Sequence, residues 1–356
     1  MKNLLLTTAL VGFAGAAAAD GHTGISFSGS ASLGYNDNDA SADDNEFGFY
    51  SDLDIVAGLS QTLDNGLTVG ASFNLDDLGA GSDQGLEYEL SLTSETAGLF
   101  YGDTAFAAES HWASAGDMES DNFSEADGEV ALRGDVTFGG VSASVSYALQ
   151  DADSTLATQE LEQLSVGVSA DFGDVNVAMG YQEATAVAFV GNGDFNADEV
   201  FGISVGTSFG GADVRLAYAD NGTTDSTGIK IGYPIGPVTA TAYYVAESAG
   251  GDNWGINLAY ANGPVAVALD YQDDQGTAKM GLEGSYDIGN GMMMYAGYLT
   301  TDNGSNDRFY VAGSYDLGSG ASLLVSYAAD DSDEDGDEVG AGDYQVGTTV
   351  ELSFAF

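Results

Sequence analysis

Apolar and polar residues alternate along almost every segment after Gly24, in runs of about ten residues. A period of two places successive side chains on opposite faces of a β-strand, so each run predicts a strand with two different environments. The final seven residues, VELSFAF, show the pattern most cleanly. Four apolar side chains share one face there, and a carboxylate and a hydroxyl lie on the other. The chain therefore predicts an all-β protein.

Short glycine turns and longer acidic connections follow one another along the chain. TFGG, SFGG and YDLGSG are examples of the short turns, whereas NDNDASADDNE is one of the longer connections. This alternation is typical of an antiparallel up-and-down β-barrel. Counting the short turns predicts up to twenty strands, and closing the sheet requires an even number. The longest connection, residues 104–129, interrupts the regular spacing.

Aromatic residues bracket the apolar face at two heights. One row lies six residues after the first apolar residue of a run, and the other lies just before the short turns. A transmembrane barrel carries such girdles where it meets the two membrane interfaces. The first row is Tyr147, Tyr181, Tyr218, Tyr244, Tyr271, Tyr298 and Tyr327, and the second is Phe138, Phe172, Phe209, Tyr233, Tyr260, Tyr286 and Tyr315.

Charged residues of the strands fall on the polar face. Each strand base is one residue out of phase with its apolar neighbours, and the bases are Arg133, Arg215, Lys230, Lys279 and Arg308. Lys or Arg on a lipid face costs about 2–4 kcal/mol at mid-membrane. The phase therefore predicts an apolar outer face and a charged lumen, and the terminal strand would close the barrel against the first strand.

Residues 1–19 have the pattern of a secretory signal. Lys2 precedes an apolar stretch from Leu4 to Gly15, and small residues at Ala17 and Ala19 favour cleavage before Asp20. The stretch is short for a transmembrane helix. We expect an exported protein with a single barrel domain over residues 20–356.

Composition excludes several classes of protein. The chain has no cysteine, so disulfides and thiolate metal sites are impossible. Its formal net charge of -50 excludes nucleic acid as a partner, because phosphates need a basic surface. The only histidines, His22 and His111, lack a ligand pattern, and no serine nucleophile motif is present. We expect neither catalysis nor a cofactor.

With these features, the whole mature chain resembles the general diffusion porins of Gram-negative bacteria, above all the acidic porins of alphaproteobacteria such as Rhodobacter. The resemblance rests on the signal peptide, the F-G-x and D-L-G-x-G turns, the third long loop after LFYGD, and the terminal Phe356. It implies an outer-membrane trimer of 16-stranded barrels in contact with lipid and lipopolysaccharide, with the third loop folded into each pore. Phe354 and Phe356 would belong to the signal that the barrel-assembly machinery reads.

The loop 104–129 supplies candidate pore carboxylates, namely Glu109, Asp117, Glu119, Asp121, Glu125 and Asp127. Folded inward, they would face the wall bases Arg133, Arg215 and Lys230 across a constriction, with Lys279 and Arg308 nearer the mouth. Such a transverse field orients polar solutes and hinders apolar ones. The alternative is that the segment is simply an acidic surface loop.

A second acidic stretch, residues 330–343, is predicted to be an external loop. Asp331, Asp333 and Asp335 match the start of a calcium-binding EF-hand loop, but Gly342 occupies the position of the bidentate glutamate. Ca²⁺ bound there, or shared diffusely among acidic loops, is the one metal that the sequence offers.

Three functions are compatible with these patterns. A passive channel for small hydrophilic solutes and ions, with a cation preference from the acid excess, is favoured. A substrate-selective channel would need a ladder of basic or aromatic residues along the lumen. A secreted acidic β-rich surface protein would alternate in the same way but has no reason to carry two aromatic girdles.

Overall fold

The computed structural model describes residues 23–38, 48–75, 86–125, 130–151, 154–157, 161–186, 195–301, 306–330 and 344–356. The predicted signal peptide, Asp127 and the aspartates of the candidate calcium loop, Asp331, Asp333 and Asp335, lie outside these residues. In the described part of the chain, no helix is long and apolar enough to cross a membrane.

The described residues form twenty-two strands and one short helix. They are β1 (Thr23–Asn36), β2 (Gly48–Thr62), β3 (Thr68–Leu75), β4 (Leu86–Thr93), β5 (Ala97–Asp103), α1 (Ala107–His111), β6 (Val130–Phe138), β7 (Val141–Ala148), β8 (Gln150–Asp151), β9 (Ser154–Ala157), β10 (Leu164–Phe172), β11 (Val175–Gln182), β12 (Val200–Phe209), β13 (Ala212–Asp220), β14 (Asp225–Ile235), β15 (Val238–Glu247), β16 (Asn253–Asn262), β17 (Val265–Asp274), β18 (Thr277–Gly289), β19 (Met292–Thr301), β20 (Asn306–Gly318), β21 (Ala321–Asp330) and β22 (Gly347–Ala355). Strands β8 and β9 pair only with each other.

The other strands form one closed antiparallel sheet of 20 strands. Each pairs with its neighbours in chain order, and β7 pairs with β10. The terminal strand β22 closes the barrel against β1, with Leu352 opposite Leu33. The amide of Gly29 donates to the carbonyl of Phe356 at 2.9 Å. Twenty strands agree with the count of short turns and exceed the sixteen that the resemblance implies.

Short turns give the right strand count because each makes a real hairpin. Phe138 pairs with Val141 across the turn, and the two residues between them are Gly139 and Gly140. Their φ angles of 62° and 84° are the left-handed values of a type I′ turn, which side chains with a Cβ adopt with strain. The conformation of these turns therefore depends on the local sequence and can be predicted from it.

The circumference of the barrel leaves a large interior. Strands about 4.8 Å apart and tilted by about 40° to the axis give twenty strands a diameter of roughly 40 Å. Side chains alone fill only barrels of about eight strands. The lumen is therefore open unless a loop enters it.

The register confirms the two faces that the phase predicts. Phe138 and Phe209 lie on the outer face with 88% and 82% of their surfaces exposed, next to the turns. Arg215 and Lys230 lie opposite each other on the inner face. The other strand bases are in the same inward phase: Arg133, Lys279 and Arg308.

Candidate functional site: the loop inside the barrel

The loop between β5 and β6 lies inside the barrel, and its helix α1 is held by the wall. The helix has no side-chain cap of its own. Instead, the amide of Ala107 donates to the hydroxyl of Ser146 on β7 at 2.9 Å. The amide of Ala108 donates to Ser165 on β10 at 2.8 Å. Because the first amides of a helix have no partner within it, these inward-facing serines satisfy them.

Inward-facing glycines make room for the loop. Gly167, Gly180 and Gly202 lie side by side on β10, β11 and β12. A Cβ on Gly180 would lie 2.8 Å from the Phe123 ring, and one on Gly202 would lie 2.5 Å from the Trp112 ring. A Cβ on Gly167 would collide with the carbonyl of Ala107. A Cβ on Gly228 of β14 would lie 2.7 Å from the carbonyl oxygen of Ala115. We call Gly167, Gly180, Gly202 and Gly228 the glycine track.

Sequence reasoning missed the glycine track. The alternation of the strands could have indicated it, because all four glycines occupy positions on the polar face of a strand. A glycine inside a strand marks a site where another backbone approaches closely.

The outward arm of the loop reaches the far wall. The side-chain amide of Gln272 on β17 donates to Asp117 at 2.7 Å. Asn253 on β16 donates to Glu119 at 2.9 Å. The carboxylates of Asp117, Glu119 and Asp274 lie within 4.8 Å of one another. Protein groups already engage all three, because Lys279 forms an ion pair with Asp274 at 3.3 Å.

The returning arm is fixed by a buried polar network. The amide of Ser120 donates to Ser226 on β14 at 3.0 Å. The amide of Ser124 donates to Gln182 on β11 at 2.7 Å, and its hydroxyl donates to Gln163 at 3.0 Å. Gln163 and Gln182 are almost fully buried and also donate to the carbonyl of Asn196. The described loop is therefore hydrogen-bonded to the wall along both arms.

Trp112 and Phe123 join the two arms of the loop, with ring centroids 5.6 Å apart. The indole of Trp112 donates to Asp121 at 2.9 Å. Burial raises the pKa of Asp121 to about 6, although the indole hydrogen bond lowers it. Burial also raises the pKa of Glu109, with Glu125 nearby adding to the effect. These two carboxyls titrate closer to neutrality than exposed acids do.

His111 lies between two serines of the wall. Its Nδ1 is 2.9 Å from the hydroxyl of Ser169, and its Nε2 is 2.8 Å from that of Ser144. Burial lowers the pKa of the imidazole. A neutral ring with one donor and one acceptor suits two hydroxyl partners.

The predicted wall bases lie on the side of the barrel that the loop covers. Arg133 donates to the carbonyl of Ala105 at 2.8 Å, forms an ion pair with Asp135 at 3.2 Å and stacks over Phe100, so it supports the root of the loop. Arg215 donates to Ser204 at 3.1 Å. Arg215 and Lys230 lie one inward position nearer the short turns than Gly228.

The described residues of the loop contact the strands from β6 to β17. The strands from β18 through β22 and from β1 to β4 form the remaining wall, outside these contacts. Lys279 and Arg308 are the inward bases on that part of the wall among the described residues. The inward carboxylates of this part of the wall outnumber its bases, and they include Asp52, Asp54, Glu89, Glu283 and Glu351. Glu351 accepts a hydrogen bond from Tyr50 at 2.7 Å. The pore thus has acids on both sides, from the loop and from the wall facing it.

A closed transmembrane barrel with a loop fastened inside it is the architecture of a membrane channel. Residues 6–337 match the family of Gram-negative porins. The chain belongs to this family, so it forms a channel of the outer membrane. Comparison with curated proteins gives no match.

Solved structures that this chain is similar to include engineered variants of the porin of Rhodopseudomonas blastica. A fivefold-substituted variant is 14% identical, with 93% of this chain and 100% of that chain covered and a TM-score of 0.46. A triple variant gives the same identity, coverage and TM-score. A variant with three substitutions, each of which removes an acid, is 15% identical, with 93% of this chain and 100% of that chain covered and a TM-score of 0.47.

Proposed function

We propose that the protein is a general diffusion channel for small hydrophilic solutes and ions and that it prefers cations. The observation that carries the proposal is the distribution of charge in the lumen. Loop acids such as Glu119 and Glu125 are exposed on one side, and wall acids such as Asp52 and Glu89 face them. Three of the five bases support the loop or pair with acids or hydroxyls beside it. A lumen lined by one sign of charge concentrates counter-ions.

The sequence and the family support a proposed cellular setting. Residues 1–19 would direct export, and residues 20–356 would form the barrel, with residues 104–129 as constriction loop and residues 330–343 as an external acidic loop. Phe354 and Phe356 would serve as the assembly signal. The barrel would associate with two further copies of the chain as a homotrimer. Lipid and lipopolysaccharide of the outer membrane would surround this trimer. We expect no resident cofactor, and Ca²⁺ would bind only through acidic loops.

The test is the reversal potential of the refolded mature protein in a planar bilayer under a salt gradient. We expect stepwise conductance and a potential of cation-selective sign. Substituting Asp52→Asn, Asp54→Asn and Glu89→Gln together should reduce the cation preference. A matched Arg215→Gln and Lys230→Gln pair, on the covered side, should change it less.

Anion selectivity would overturn the cation preference and favour a substrate-selective channel that uses the bases. Folded protein without any conductance would overturn the channel function itself and favour a surface protein. Heat-modifiable migration on a gel would establish that the barrel is folded in either case.

A further inference from the structure

A second segment also lies inside the barrel, just before the last strand. Residues 344–346 precede β22, and Val346 forms an isolated backbone bridge to Ala328 of β21. Asn36, an inward-facing and buried residue of β1, donates its side-chain amide to the carbonyl of Val346 at 3.1 Å. Gly347 then has a φ of 96°, which lets the chain turn into β22. The final strand is therefore entered from the lumen.

The Tyr344 ring rests on the wall that the loop 104–125 does not contact. It stacks on Tyr310 of β20 with centroids 4.6 Å apart and an angle of 34° between the rings. The Tyr310 ring in turn lies across Gly297 of β19, where a Cβ would collide with it. Burial raises the pKa of Tyr344 to about 12, with smaller contributions from Tyr295 and Glu283. The phenol is thus embedded among inward-facing residues.

A carboxylate lies in the same inward row as this aromatic pair, beyond the glycine that the Tyr310 ring crosses. Glu283 of β18 is in the same row as Gly297 and Tyr310. Its Oε1 is buried and has no hydrogen-bond partner among the described residues. Asp270 on the neighbouring strand β17 adds like charge. Water in the lumen would stabilise the charged form of this carboxylate. Because the aromatic pair keeps water away from it, Glu283 contributes less negative charge to the pore.

We propose that Tyr344 is a second narrowing element of the pore and a determinant of its selectivity. Tyr344 narrows the lumen on the side that the loop 104–125 does not contact. Together with Tyr310, it shields Glu283 from solution. This inference rests on the proposed channel function. The predicted role of residues 330–343 as an external loop is unaffected, because Tyr344 follows that stretch.

The test is Tyr344→Ala in the refolded full-length mature protein, measured by single-channel conductance and reversal potential. We expect conductance to rise by about 10–20%, since one ring is small beside the lumen of so wide a barrel. The ratio of cation to anion permeability should rise by about 1.5-fold, because the Glu283 carboxylate becomes solvated and faces the pore.

Two variants separate the ring from its hydroxyl and from the carboxylate. Tyr344→Phe keeps the stacked ring and should behave as the wild type. Tyr344→Ala with Glu283→Gln should keep the gain in conductance and lose the gain in selectivity. Tyr327→Ala removes an outward-facing ring from β21 and controls for the loss of a tyrosine.

Wild-type conductance in Tyr344→Ala would overturn the proposal, as would an equal gain in Tyr344→Phe. Absence of conductance in the wild type as well would instead count against the proposed channel function. The two failures are therefore distinguishable in one set of recordings.

Discussion

At the scale of the residue, the inner wall is shaped by the absence of side chains as much as by their presence. The glycine track lets the backbone and rings of the loop touch the strands directly, so any side chain there displaces the loop. We predict that Gly202→Val loosens the loop, because the added methyls overlap the Trp112 ring. Overpacking costs about 1–3 kcal/mol, so chymotrypsin should cut the folded barrel within the loop at least about fivefold faster.

Gly232→Val is the matched control for this experiment. Gly232 also faces inward, on β14, but a Cβ there meets only the hydroxyl of Thr241 at an ordinary 3.7 Å. Equal cleavage of the two variants would show that valine loosens the barrel generally and that the glycine track has no special role.

Asp121 gives the loop a pH dependence. Burial raises its pKa in the folded protein to about 6, above the ordinary value of 3.8 that it has in an unfolded chain, so folding favours the protonated form. The loop should therefore gain stability as the pH falls from about 6 towards about 4, because in this range the folded protein binds the proton and the unfolded chain does not. In a Trp254→Phe background, we predict that Trp112 fluorescence titrates with a midpoint near pH 6. Asp121→Asn should remove this transition and should stabilise the loop most above about pH 6, where the wild-type carboxylate is charged. A midpoint near about 4 would mean that burial does not raise the pKa of Asp121.

At the scale of the element, helix α1 is too short to persist alone. Isolated helices shorter than about 12 residues are marginal in water, and this one has 5. Ser146 and Ser165 accept its first amides, so the barrel wall supplies its cap. We predict that Ser146→Ala with Ser165→Ala increases deuterium exchange of the peptide 104–113 by about two- to tenfold, from hydrogen bonds worth roughly 0.5–1.5 kcal/mol each.

Ser142→Ala provides the comparison for the helix cap. Ser142 lies on the same strand and face, but it is partnered by Thr137 near the short turn. Unchanged exchange in the double variant would mean that the packing of Phe106 and Trp112, not the serine hydroxyls, holds the helix.

The difference between what sequence predicts and what it misses is clearest at this scale. Strand faces, turn positions and the closing pair of β1 and β22 depend on period two and on glycine turns, which are local patterns. The contact of Trp112 with Gly202 and that of Tyr344 with Tyr310 join residues far apart in the chain. Alternation gives no signal for such pairs, so only the resemblance predicts the inward loop, and nothing in the sequence predicts the inward Tyr344. The roles of the pore residues remain predictions.

At the scale of the whole molecule, the wide barrel and its acid excess act together. Loop acids and wall acids are separated by open lumen, so their effect on a passing ion depends on how far a field reaches through water. The Debye length is about 10 Å at 0.1 M salt and about 3 Å at 1 M. A field that reaches the pore axis at low salt is confined to the walls at high salt.

We therefore predict that the cation preference is strong at 0.1 M salt or below and nearly absent at 1 M. The measurement is the permeability ratio from reversal potentials at a fixed salt gradient and stepped mean concentration. The triple variant with Asp52→Asn, Asp54→Asn and Glu89→Gln should show a weaker dependence on salt than the wild type. A cation preference that persists at 1 M would require ions to touch carboxylates directly in a narrow passage. That result would mean that the path of the ion is much tighter than the twenty-stranded wall and the wall-bound loop indicate.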